Sequence, residues 1–164
     1  MLPENYRVPF IENAMFDEKS KKFEVSWSMD AEIKQYNNPD YLIGFDEDMT
    51  VMTGTKFTAT ELANLKGYSI GRLTGLIYEE VGDFKIGIYG ANGAVIAETT
   101  IASGIYTPGY TFYAELPTAV EITGEEDLYI AYTLTMTGGS SPLVIDEGPL
   151  VENGALISLT NGAN

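Results

Sequence analysis

Apolar and polar residues alternate most regularly between Asp83 and Met136. Successive side chains of a strand point to opposite faces, so Phe84, Ile86 and Ile88 share one side of an extended segment. Asn92-Gly93 is a preferred centre for a tight hairpin turn, since both positions there favour positive φ. That turn sets Ala91 opposite Ala94, Ile88 opposite Ala97 and Phe84 opposite Ile101. Val95, Ala97 and Ile101 then join the apolar face, while Lys85, Tyr89, Glu98 and Thr100 fall on the other. A slip of one residue would bury Lys85 and Glu98, so the register is strongly specified. The segments Tyr110 to Leu116 and Asp127 to Met136 read as a second hairpin-like pair. In the latter, Leu128, Ile130, Tyr132, Leu134 and Met136 share one face along the clearest strand of the chain.

The flanking regions carry weaker patterns of the same kind. Lys22 to Met29 reads as a strand with Phe23, Val25 and Trp27 on one side, which favours a core position for Trp27. Tyr41 to Phe45, Met49 to Thr53, Tyr68 to Glu80, Leu143 to Ile145 and Ala155 to Leu159 are further strand candidates. The apolar phase shifts around Gly71, which predicts a bulge. One helix is expected, over Ala59 to Lys66. Thr58 and Glu61 have capping-box spacing, Phe57 and Leu62 fit a hydrophobic staple, and Gly67 suits a left-handed stop. At about two turns it is too short to stand alone and must pack on the sheet. Asn161-Gly162 repeats the hairpin signal near the end, where either a fraying tail or an open edge beside Ala155 to Leu159 is expected.

Many short strands and one short helix predict an all-β fold: a two-sheet antiparallel sandwich of jelly-roll type, with the helix near residues 59–66. Residues 1–21 read as a lead-in and residues 22–164 as a single sandwich domain, consistent with a length of 164 residues.

Composition narrows the chemistry. There is no cysteine and no histidine, which removes disulfides, thiolate chemistry and imidazole bases or ligands. Twenty-four acids against nine bases give a net charge of −15. The densest basic cluster, Lys19, Lys21 and Lys22, has acids close on both sides, so nucleic acid is not an expected partner. No signal peptide is visible, and the long uncharged run Leu128 to Ile145 is broken by Thr137-Gly-Gly-Ser-Ser-Pro142, so no membrane insertion is expected.

Gly67-Tyr68-Ser69-Ile70-Gly71 matches the spacing of a nucleophile elbow, but it follows a helix and precedes a strand, the reverse of what that elbow needs. Twenty-four acids will produce carboxylate pairs by chance, so glycoside hydrolysis is only a distant alternative. The chain is read as non-enzymatic. Acidic turns offer oxygen ligands, and Asp46, Asp48, Asp146 and Glu147 are the candidates for a structural calcium, the one cofactor considered. Aromatic residues are the better lead, because flat amphipathic rings can stack on sugars. Tyr36, Tyr41, Tyr106 and Tyr110 lie in or beside expected loops, and Tyr129 lies opposite the Leu128–Met136 face. These five are the candidate ligand-binding residues.

Three segments resemble a known group of modules. Lys56-Phe57-Thr58-Ala59-Thr60-Glu61-Leu62-Ala63-Asn64-Leu65-Lys66-Gly67 is similar to the "arF-t-x-x-(D/E)-L-x-x-(Y/L)-x-G" segment of surface and secreted proteins of gut bacteria. There a strand ending in "I-x-I-Y" follows, similar to Ile86-Gly87-Ile88-Tyr89. Val120 to Tyr132 resembles the "y-x-I-x-G-(E)-D-L-Y-I-G-Y" segment, and Pro142 to Gly148 its "P-x-x-x-D-x-G" loop. The chain thus resembles cleaved-adhesin and galactose-binding-like jelly-roll modules over about Lys56 to Leu159. The resemblance implies a sandwich within an exported protein, outside the cell or at its surface. The implied role is adhesive or carbohydrate-associated, with a glycan or a surface protein as partner and no catalytic set. The alternative is a structural or assembly domain of a larger exported protein, with self-association through a strand edge.

Overall fold

The computed structural model describes residues 10–17, 22–28, 39–146, 152–154 and 156–159. Two compact units separate at Lys34 and Gln35. In the first, β1 (Phe10–Asp17) pairs antiparallel with β2 (Lys22–Ser28), with a register shift between Ile11 and Asn13. The segment expected as a lead-in therefore contains a strand, the partner of the one expected at Lys22. The Trp27 side chain lies outside what is described.

The second unit holds β3 (Pro39–Ile43), β4 (Met49–Phe57), α1 (Ala59–Leu62), β5 (Ser69–Leu76), β6 (Gly82–Tyr89), β7 (Val95–Thr100), β8 (Thr111–Glu121), β9 (Leu128–Met136), β10 (Leu143–Asp146) and β11 (Leu156–Ser158). Five strands form one sheet in the order β11-β4-β9-β6-β7, with every neighbour antiparallel. Two antiparallel pairs, β5–β8 and β3–β10, make the opposing layer. The Tyr78 N–H joins them by donating to the Pro142 carbonyl at 2.9 Å. This is the all-β antiparallel sandwich that the alternation predicts.

The core lies between the layers. From the large sheet come Val51, Phe57, Phe84, Ile86, Ile88, Leu128, Leu134 and Met136, all buried. From the other come Leu73, Phe112, Ala114 and Leu116. Phe84 meets Phe112 edge-on at 5.4 Å and Tyr132 at 5.9 Å. Each large apolar side chain removed from water here contributes about 1.5–3 kcal/mol.

The β6–β7 register is the expected one over Lys85 to Ile88, with Ile88 opposite Ala97. It then shifts, so that Tyr89 pairs with Val95. The turn is a 3₁₀ turn over Ala91–Gly93, closed by Gly90 N–H to the Ala94 carbonyl, and Gly93 carries the positive φ. The extra residue reverses the phase at the start of β7, so Val95, expected inward, is 61% exposed.

A second correction concerns β8 and β9. They do not form a hairpin: β8 pairs with β5, and β9 lies between β4 and β6 in the other layer. Alternation defines the faces of a strand and leaves its partner open.

Helix α1 has the capping box in full: Glu61 N–H donates to Thr58 Oγ1, and Thr58 N–H donates to Glu61 Oε2 at 2.7 Å. Phe57 and Leu62 are both buried beside it. The helix is shorter than expected because its second turn tightens to 3₁₀ over Ala63–Leu65 before Gly67, at φ +85°. The bulge expected near Gly71 is present as a register shift between Ile70 and Arg72. Among the described residues, no helix is long and apolar enough to cross a membrane.

Candidate functional site

β8 alternates cleanly over its first half. Phe112, Ala114 and Leu116 point into the core, which turns Thr111, Tyr113 and Glu115 to solvent. The loop before β8 is closed by two turns, Ile105 N–H to Ala102 O at 3.1 Å and Tyr110 N–H to Thr107 O at 3.0 Å. Gly109 N–H donates to Ile77 O and ties the loop to the end of β5. The result is a shallow open depression lined by Ile105, Tyr106, Tyr110, Phe112 and Tyr113. Its rim is exposed and apolar: Tyr110 is 70% exposed, Tyr113 61% and Ile105 59%.

Tyr106 has a different part in it. Its hydroxyl accepts a hydrogen bond from Val81 N–H at 3.0 Å. Its ring stands edge-on to Phe84 at 5.3 Å and tilted on Phe112 at 5.8 Å. It anchors the loop to the core and so holds Tyr110 in place. Tyr113 carries a cation on one side: the Arg72 guanidinium carbon lies 5.2 Å from the ring centroid. The two are diagonal neighbours, since Arg72 pairs with Glu115 and Thr74 with Tyr113.

Two of the five aromatic candidates, Tyr106 and Tyr110, therefore meet at one place. Tyr41 is exposed on β3 and does not line this depression. Tyr36 lies outside the described residues. Tyr129 is half-buried on the outer face of the large sheet, where it packs against Met52, Tyr89 and Ala131. Lys56 Nζ stands 5.7 Å from its ring centroid. Tyr113 and Arg72 were not among the candidates. The signal for Tyr113 was available, because inward Phe112 and Ala114 force the residue between them outward.

The outer face of the large sheet holds the other polar constellation. Lys85 Nζ donates to Glu98 Oε1 at 2.9 Å, and the Tyr89 hydroxyl donates to Glu98 Oε2 at 2.9 Å. Burial works to raise the Glu98 pKa, but the hydrogen bonds from Lys85 and Tyr89 and the Lys85 charge outweigh it and hold the carboxyl below its ordinary range. Burial, with Glu98 beside it, pushes the Tyr89 phenol up. Lys56 and Asp127 pair at 2.8 Å, and Asp127 Oδ1 also accepts from Ala59 N–H at the start of α1. The Lys56 hydrogen bond, seconded by Ala59 N–H, lowers the Asp127 pKa.

Of the calcium candidates, Asp48 accepts a hydrogen bond from Gly138 N–H at 2.7 Å and pins the β9–β10 loop. Asp46 lies in the turn beside that loop, with its carbonyl close to Gly138. The Asp146 side chain and Glu147 lie outside what is described. Among the described residues, no three acidic side chains converge as a metal site. No protein-family model, curated protein or solved structure matches the chain.

Proposed function

We propose that this chain is a non-catalytic binding module whose ligand is a carbohydrate seated on the tyrosine-rimmed depression before β8. The carrying observation is the exposure of Tyr113 on β8 beside Tyr110 and Ile105 on the preceding loop, which Tyr106 anchors to the core. Exposed rings on a rigid scaffold supply flat apolar area at little cost in side-chain entropy, and their hydroxyls remain free to bond sugar oxygens. An adhesive or carbohydrate-associated role at a cell surface or in secretion fits this reading and the resemblance of Lys56–Gly67 and Val120–Tyr132 to such modules. A glycan array with the soluble chain tests it. Binding is expected that Tyr110→Ala and Tyr113→Ala each weaken about fivefold to tenfold, the scale of one lost aromatic contact. An array without signal, or signal that both variants leave intact, would refute the site.

A second reading, an assembly domain, has its own support. Among the described residues β11 stands last in its sheet, with Leu156 and Ile157 exposed and Leu159 following them. Strands that carry exposed apolar residues at the border of a sheet recruit other strands. Concentration-dependent dimerisation in sedimentation, lost on Ile157→Lys, is its expected outcome.

A further inference from the structure

Between residues 39 and 146 the basic side chains are Lys56, Lys66, Arg72 and Lys85. Three of them are neutralised: Lys56 by Asp127, Lys66 by Glu125 and Lys85 by Glu98, at 2.8, 3.1 and 2.9 Å. Arg72 is the exception among the described residues. Glu115 is its register partner on β8, yet the two form no ion pair. In a chain of net charge −15 a cation without a carboxylate partner is conspicuous. It stands on the solvent face of the β5–β8 pair, over the ring of Tyr113. That interaction uses the quadrupole of the ring and consumes none of the five N–H donors of the guanidinium.

We infer that the saccharide bound at the tyrosine rim is an acidic one, its carboxylate received by Arg72 while its ring packs on Tyr113 and Tyr110. This rests on the carbohydrate reading above and adds to it the class of sugar. A guanidinium fork matches a carboxylate with two parallel hydrogen bonds, which a neutral hydroxyl cannot reproduce. The overall negative charge does not oppose this decisively. Exposed acids beyond the Debye length of about 8 Å are screened at physiological salt, whereas a direct contact is screened much less. What remains is local: Glu115 stands opposite Arg72 on β8, and the Arg72 guanidinium, in no ion pair with it, keeps its donors for a ligand.

Calorimetric titration of the full chain with an oligomer of galacturonic acid, and with the neutral galactose oligomer of equal length, tests the inference. The acidic oligomer should bind more tightly, with an advantage that shrinks as salt is added. Arg72→Gln should weaken the acidic oligomer about fivefold, the scale of an exposed ion pair, and leave the neutral one within about twofold. Arg72→Lys should retain part of the preference, as charge without the fork. Equal binding of both oligomers, unmoved by Arg72→Gln but weakened by Tyr113→Ala, would overturn the acidic class and leave the tyrosine site standing. Binding of neither oligomer would overturn both. An oligoglutamate peptide that bound as tightly as the uronate, with the same Arg72 dependence, would overturn the saccharide class.

Discussion

The two outer faces of the sandwich treat their polar groups in opposite ways. On the five-stranded sheet, Lys85, Glu98 and Tyr89 close on one another, and Lys56 is held by Asp127 and Tyr129. On the β5–β8 pair and the loop before β8, Arg72, Tyr113 and Tyr110 stay open to water, and the Arg72 guanidinium has only a ring beneath it. The closed face spends its side chains on holding strands together. The open face leaves its groups available to something else. Satisfied networks rigidify a structure, while exposed aromatic and guanidinium groups without internal partners are the usual material of recognition.

The backbone draws the same contrast and yields the largest expected effect. Gly54 on β4 and Gly87 on β6 both pair with Ala131 on β9, a row of small residues across the large sheet. A Cβ at Gly54 would run into the Ile130 carbonyl and the Ala131 backbone. Backbone cannot step aside as a flexible side chain can, so Gly54→Ala should cost about 1–3 kcal/mol. Gly71, at the bulge of β5, has nothing within 4 Å of the equivalent position and no positive φ. Gly71→Ala should instead stabilise by about 0.4–1 kcal/mol, because a compatible alanine restricts mainly the unfolded chain. Urea unfolding of the two variants compares the faces directly. Equal losses would remove the distinction.

The next effect concerns the closed network. Removing Glu98 takes the carboxylate acceptor from the Tyr89 hydroxyl, on a residue only 3% exposed, and leaves it Thr133. Glu98→Ala should therefore cost about 1 kcal/mol, and less in a Tyr89→Phe background, where there is no hydroxyl to lose its charged acceptor. The carboxyl also makes stability depend on pH. Glu98 is held below its ordinary value of 4.5 when folded and returns to it on unfolding. At acid pH the unfolded chain then takes the proton first, so the contribution is present above that value and lost as pH falls through the folded one. Denaturation midpoints of the native chain and of Glu98→Gln, compared from neutral pH downward, should converge as the carboxyl protonates. A gap that stayed constant with pH would assign the network no electrostatic role.

Period-two alternation made much of this legible. The inward faces of β6 and β9, the capping box at Thr58 and Glu61, and the β6–β7 register at Ile88 and Ala97 all follow from local spacing. Two things do not. The partner of β8 is a non-local choice, and a strand with one apolar face fits any sheet edge that needs covering. The shift at Tyr89 inserts a residue that no residue type announces, and with it Val95 turns outward. The candidate site was half legible for a related reason. Tyr110 stands out as a loop aromatic, and Tyr106 with it, although its ring and hydroxyl anchor the loop. Tyr113 and Arg72 become interesting only once β5 and β8 are known to be adjacent.

The smallest expected effect on stability is therefore the most discriminating one. If the open face is built for a ligand, its residues should matter little to folding. An exposed cation over a ring contributes about 0.5–1 kcal/mol at most, and an exposed substitution without buried partners usually stays within about 0.5 kcal/mol. Arg72→Gln and Tyr110→Ala should thus leave the urea midpoint nearly unchanged. Tyr106→Phe, which strands the Val81 N–H of the neighbouring turn, should lower it measurably. The three variants differ by a few atoms in neighbouring parts of one loop and strand pair. A ranking in which Arg72→Gln destabilised more than Tyr106→Phe would mean that Arg72 is a fastening of the β5–β8 pair, and the open face would then be no more available to a ligand than the closed one.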